Sequence, residues 1–110
     1  MTFDEYQERA LTTAIFNDHG LNDLMHWVLG INGEAGEIAE KLKKIIRDKN
    51  GEVSEDDKTE ILKEIGDVLW YLAVLTNHLE SSFKEVAESN LAKLADRKKR
   101  DMIKGQGDNR

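Results

Sequence analysis

Two short acidic pairs carry the chemistry this sequence offers: Glu34 and Glu37 in "GINGEAGEIAE", and Glu64 and Asp67 in "EIGD". Residues three apart share one face of a helix. Counted from the turn dipeptide Asn50-Gly51, each pair lies roughly 14 to 17 residues away, on opposite sides of the turn. If the flanking segments are antiparallel helices, equal distance from the turn means equal height, so the four carboxylates face one another. Like charges grouped this way are costly unless a cation joins them. Ligands that are all carboxylate oxygens suit Mg²⁺ or Mn²⁺ over Zn²⁺. Glycines sit inside both motifs: Gly30, Gly33 and Gly36 around the first, Gly66 within the second. Each costs a helix about 1 kcal/mol relative to alanine. That cost has a reason where a neighbouring helix or a phosphate must approach the backbone closely. The plainer reading pairs Glu34 and Glu37 with Lys41 and Lys44 on a solvated face, as 35% of the chain is charged. A second acidic pair at matched height favours the metal reading.

The elements that must position these residues are helices. Thr2 with Glu5 opens a first helix, expected to run to about Asn17, and Gly20 ends it. A second begins near Asn22 and stops before Asn50-Gly51. Ser54 with Asp57 opens a third, and Ser82 with Glu85 a fourth. The second and third are each about 25 residues, or roughly 38 Å long. Apolar residues recur at helical spacing in both: Leu24, Val28, Ile31, Ala35, Ile38, Leu42 and Ile45 in one; Ile61, Ile65, Val68, Leu72 and Leu75 in the other. Short connections make antiparallel neighbours. The expected fold is all-α: a single four-helix-bundle-like domain over residues 1–104, built on a central antiparallel long helix pair, with an irregular tail at 105–110.

Composition bounds the function. The chain has 110 residues, no proline and no cysteine, so disulfides and thiolate metal sites are excluded. A formal net charge of −6 argues against a nucleic-acid groove, which needs clustered Lys and Arg. No apolar run reaches the ~20 residues of a membrane span. The acidic start, Met1-Thr2-Phe3-Asp4-Glu5, is unlike a signal peptide, and a cytoplasmic location is expected. His19, His26 and His78 show no ligand spacing, which argues against a di-iron bundle built on Glu-x-x-His. Trp27 and Trp70 lie on apolar stretches and read first as core. For Trp27, about two turns before Glu34, stacking on a base is the second reading. The basic run Arg97 to Arg100 reads as a solvated helix end.

"GEAGEIAE", "EIGDVLWYLAVL" and "NLAKLADR", in that order, resemble the MazG-like family of all-α nucleotide pyrophosphohydrolases. The dimeric dUTPases and phosphoribosyl-ATP pyrophosphatase share that superfamily. The resemblance runs from "FDEYQERA" to the end of the chain. It implies Mg²⁺-dependent hydrolysis of a nucleoside or deoxynucleoside triphosphate to the monophosphate and pyrophosphate, as in nucleotide-pool house-cleaning. It also implies a homo-oligomer, a dimer or a tetramer formed as a dimer of dimers. By motif, the metal ligands would be Glu34, Glu37, Glu64 and Asp67. Tyr71 would contact substrate, and Asn90, Lys93 and Arg97 would approach the phosphates or sugar. Either Glu34 or Glu37 would serve as general base, with Glu34 preferred. The ending "GQGDNR" is similar to that of some single-domain members. The competing reading is a non-catalytic helical interaction module whose acidic stripe is only surface.

Overall fold

The computed structural model describes all 110 residues as four helices and no strand: α1 (Phe3–Leu11), α2 (Leu21–Lys49), α3 (Glu55–His78) and α4 (Phe83–Lys99). Three helix starts follow the side chains that cap them. Thr2 Oγ1 accepts from the Glu5 amide at 3.1 Å, and Ser82 Oγ from the Glu85 amide at 3.1 Å. Ser54 and Asp57 form a complete reciprocal capping box.

α1 stops at Leu11, well short of the expected Asn17. The Thr12 and Thr13 hydroxyls donate to the carbonyls of Arg9 at 2.6 Å and Ala10 at 3.0 Å, offering the backbone partners other than the next turn. The following loop is organised by two aspartates. Asp23 is buried and accepts from the Asn17 and His19 amides. Asp18 accepts from the amides of Gly20, Asn22 and Asp23, and so caps α2 where Gly20 has no side chain to do it. These amides, Gly20 first, hold the Asp18 carboxyl below its ordinary value.

α2 has 29 residues, longer than expected, and ends where Asn50 and Gly51 take left-handed backbone with φ of 52° and 78°. The chain then reverses, and α2 and α3 form the expected antiparallel hairpin. Lys49 meets Asp57 near the turn, Lys41 meets Glu64 midway, and Trp27 meets Trp70 and Tyr71 at the far end. The seam has a heptad-like 3-4 spacing on both helices. Leu24, Trp27, Ile31, Glu34, Ile38, Lys41 and Ile45 are covered positions of α2 at this spacing. Asp57, Ile61, Glu64, Val68, Tyr71, Leu75 and His78 are covered positions of α3 at the same spacing, and Ala73 and Val74 are fully buried besides.

α3 is the hub. It packs against each of the other three helices, whereas α2 packs against α3 alone. Ala10, Ala73 and Phe83 form the core where α1, α3 and α4 meet, with Tyr6, Leu69 and Trp70 around it. Gln7, buried there, staples the three. Its Nε2 donates to the carbonyls of Ala73 and Ser81, and its Oε1 accepts from the Phe83 amide. Trp70 Nε1 donates to the Ala10 carbonyl and the Thr13 hydroxyl. No helix is long and apolar enough to cross a membrane.

Candidate metal centre

The hairpin brings Glu34, Glu64 and Asp67 together. One carboxylate oxygen from each lies within 4.8 Å of the others. Glu34 and Glu64 occupy covered seam positions facing across α2 and α3, while Asp67, three residues on, is exposed at the rim. Glu37 is exposed and lies outside this trio, though its charge still acts on Glu34. The Glu34 carboxyl is held above its ordinary 4.5 by a hydrogen bond with Glu64, then by burial, then by the charges of Asp67, Glu64 and Glu37.

Lys41 reaches across the seam to Glu64, with Nζ 3.5 Å from Oε1. It does not pair with Glu37 or Glu34 along its own helix. One ammonium against three carboxylates leaves a formal charge of −2. Hard oxygen donors and an excess of negative charge are the features of a set that fits a divalent cation.

Above the trio, one turn along each helix, the Tyr71 ring packs closely against Gly30. A Cβ on Gly30 would fall 2.3 Å from the Tyr71 ring, so this glycine makes the close approach possible. Gly33, Gly36 and Gly66 have nothing within 4 Å of such a Cβ. The close-approach explanation therefore holds within this chain for Gly30 and not for the other three. Tyr71 and Gly30 border an open cleft of about 530 Å³ lined also by Asn22, Met25, His26 and Leu29.

Trp27 is 1% exposed. It sits in an aromatic cluster with Phe16, His26, Trp70 and Tyr71, and no face of its indole is open to stack on a base. The core reading of this residue is the one its placement supports. Asn90, Lys93 and Arg97 lie on α4, which does not pack against α2, and no hydrogen bond or ion pair joins them to the trio. Asn90 and Lys93 line a separate open groove of about 740 Å³. Arg97 is buried, and its partner is Asp108.

The spacing of the acidic pairs and of the α4 motif pointed to neither of two neighbours of these sites. Tyr6 on α1 lies near enough to Asp67 for that charge, after burial, to push its phenol above its ordinary value. Asp108, in the irregular tail, bonds Lys93 and Arg97. The first depends on a contact between segments far apart in the chain and the second on the fold-back of the tail, and local spacing encodes neither.

The family model of the MazG nucleotide pyrophosphohydrolase domain matches residues 22–101. The chain is also similar to the Gene 37 protein of Mycobacterium phage L5, with 44% identity over 114 residues covering all of both chains. No solved structure matches it.

Proposed function

The chain belongs to the MazG nucleotide pyrophosphohydrolase family, and from that premise we propose that it hydrolyses nucleoside or deoxynucleoside triphosphates to the monophosphate and pyrophosphate with the help of Mg²⁺. Mn²⁺ would substitute. The single observation that carries this reading is the convergence of Glu34, Glu64 and Asp67 oxygens within 4.8 Å. An interaction module has no need of such a cluster on the inner edge of a hairpin.

These three residues would hold the cation, with Glu37 completing the set from the rim. A divalent cation bound there would neutralise phosphate charge and help orient the attacking water. Glu34 is the side chain suited to take the proton that water loses, because Glu64, then burial, raise its carboxyl above its ordinary value and make it the stronger base. Lys41 fixes Glu64 from across the seam. Tyr71, braced on Gly30, offers a flat wall one turn from the trio, with His26 and Asn22 in the same cleft as polar groups for a base or sugar. Asn90, Lys93 and Arg97 would take phosphate oxygens.

The test is pyrophosphate release from the separate dNTPs and NTPs, with Mg²⁺ and with EDTA. Release should require the metal and should fall at least about a hundredfold in Asp67→Asn, the scale on which enzymes lose rate when a polar catalytic contact is removed. No pyrophosphate from any of the triphosphates would overturn the proposal.

A further inference from the structure

Residues 100–110 fold back on α4 as a closed loop. Arg110 ties the loop to itself: Nε donates to the Met102 carbonyl at 3.1 Å, Nη1 to Gly107 at 2.5 Å and Nη2 to Ile103 at 2.8 Å. Arg100 Nη2 donates to the Arg110 carbonyl at 2.8 Å. The loop so closed presents Asp108 to α4. Lys93 Nζ donates to Asp108 Oδ1 at 2.7 Å, and Arg97 Nη2 donates to the same oxygen at 3.2 Å and to the Asp108 carbonyl. Residues 101–109 are all exposed, so no buried apolar side chain anchors the loop. Besides the helix-end bonds of Asp101 and Met102, and Arg100, whose Nε donates to Asp96 Oδ2 at 2.8 Å while Nη2 reaches the Arg110 carbonyl, the contacts of Asp108 hold the loop to α4. Arg97 is only 5% exposed, yet its Nε has no acceptor.

We propose that Lys93 and Arg97 form an anion-binding pair that Asp108 fills from within the chain, and that a phosphate or pyrophosphate group displaces Asp108 and lifts the 101–110 loop. The inference rests on the reading that this chain handles nucleotide phosphates. An exposed carboxylate brings one charge and holds two cations weakly. A phosphate brings more charge and three acceptor oxygens, enough to satisfy Arg97 Nε as well as Nη2. Lys93 first and Arg97 second hold the Asp108 carboxyl below its ordinary value, so the pair's field acts on whatever anion sits there. Glu85 and Glu88 line the same groove, and their charges disfavour an anion beside them. The loop is an internal competitor of substrate, and the affinity observed is reduced by the fraction of chains in which it is down.

Inorganic pyrophosphate, titrated calorimetrically into the whole metal-free protein, tests this. Asp108→Asn should bind it about two- to fivefold tighter than wild type, the range that an exposed ion pair spans. Arg110→Gln leaves both cations and Asp108 in place while untying the loop, and should shift affinity in the same direction. In wild type, pyrophosphate should speed amide exchange across residues 101–110. Absent or weakened binding in Asp108→Asn, or unchanged exchange in wild type, overturns the strap: a carboxylate that merely orders Lys93 and Arg97 for substrate predicts weaker binding. None of these readouts involves hydrolysis. Pyrophosphate that lifts the loop of a protein inactive on every triphosphate keeps the strap and removes the activity, and the reverse pattern removes the strap alone.

Discussion

Glu34 sits at the point where stability and the proposed catalysis pull in opposite directions. Its folded-state pKa is raised, so between 4.5 and that higher value the folded chain binds more protons than the unfolded one. The sign follows: the stability this group contributes is present at low pH and is lost as pH rises through that window. Above that window the metal-free protein carries unrelieved repulsion among Glu34, Glu64 and Asp67. Glutamine is the neutral form made permanent, able to donate to Glu64 without a charge. Glu34→Gln should melt higher than wild type at pH 7.5 in EDTA and should lose triphosphate hydrolysis by about 10²-fold or more. Millimolar Mn²⁺ should raise the melting temperature of wild type, by the equivalent of about 2.7 kcal/mol at a hundredfold excess over its dissociation constant. It should raise that of Glu34→Gln much less. Thermal melts with and without Mn²⁺ read both effects, and a metal-free variant that melts no higher than wild type would show that the carboxylates do not strain the fold.

Helix ends and helix faces set where those side chains stand. α3 begins at Asp57's capping box, and Asp57 also accepts from Lys49 Nζ at 2.9 Å, tying the top of the hairpin. Lys49 first, then the Ser54 amide, lower the Asp57 carboxyl from 3.8 to about 2. A lowered carboxyl contributes stability that is present above its unfolded value and is lost as pH falls from about 4 toward 2. Urea unfolding of wild type across that range should show the loss, and Asp57→Asn should show a smaller one. At the other end of the hairpin, Gly30→Ala would drive a methyl into the Tyr71 ring and should cost about 1–3 kcal/mol. Gly66→Ala meets nothing and should gain about 0.5–1 kcal/mol, which the same urea titrations measure. These elements were largely legible beforehand, because capping residues and a 3-4 apolar spacing are local signals. The hairpin and the meeting of Glu34 with Glu64 and Asp67 followed from counting outward from Asn50-Gly51. What was not legible depended on competition or distance. The end of α1 turned on the Thr12 and Thr13 hydroxyls taking carbonyls that a helix would have used. The apolar periodicity of α2 merged two faces: Leu24, Ile31, Ile38 and Ile45 are covered by α3, while Val28, Ala35 and Leu42 are exposed on another.

That second face decides what the whole molecule must do. Leu21, Met25, Val28, Ala35, Leu42 and Ile46 keep to one 3-4 series along α2, and every one of them is exposed. Leu62, Ile65 and Leu72 are exposed along α3 in the same way. Only nine of 110 residues are buried, and the radius of gyration is 17.0 Å, against about 13 Å for a compact chain near 100 residues. An apolar stripe along most of a 29-residue helix exceeds what monomers leave open. Its spacing is that of a helix seam, already used once in this fold between α2 and α3. A second copy of the chain offers the matching stripe by two-fold symmetry. The protein should therefore be at least a dimer, and a tetramer if the α3 stripe is covered too. Light scattering at micromolar concentration should give a multiple of the 12.5 kDa chain mass. Leu42→Glu puts a charge at the stripe and far from the turn of Glu34, so it should lower that mass without touching the acidic trio. Because α2 packs on no helix of its own chain but α3, loss of the partner should also loosen the hairpin, and the variant's metal-induced melting shift should shrink. A 12.5 kDa mass for wild type, or a Leu42→Glu variant of unchanged mass and metal response, would mean that the stripe is bare in solution and that the hairpin holds its carboxylates in place alone.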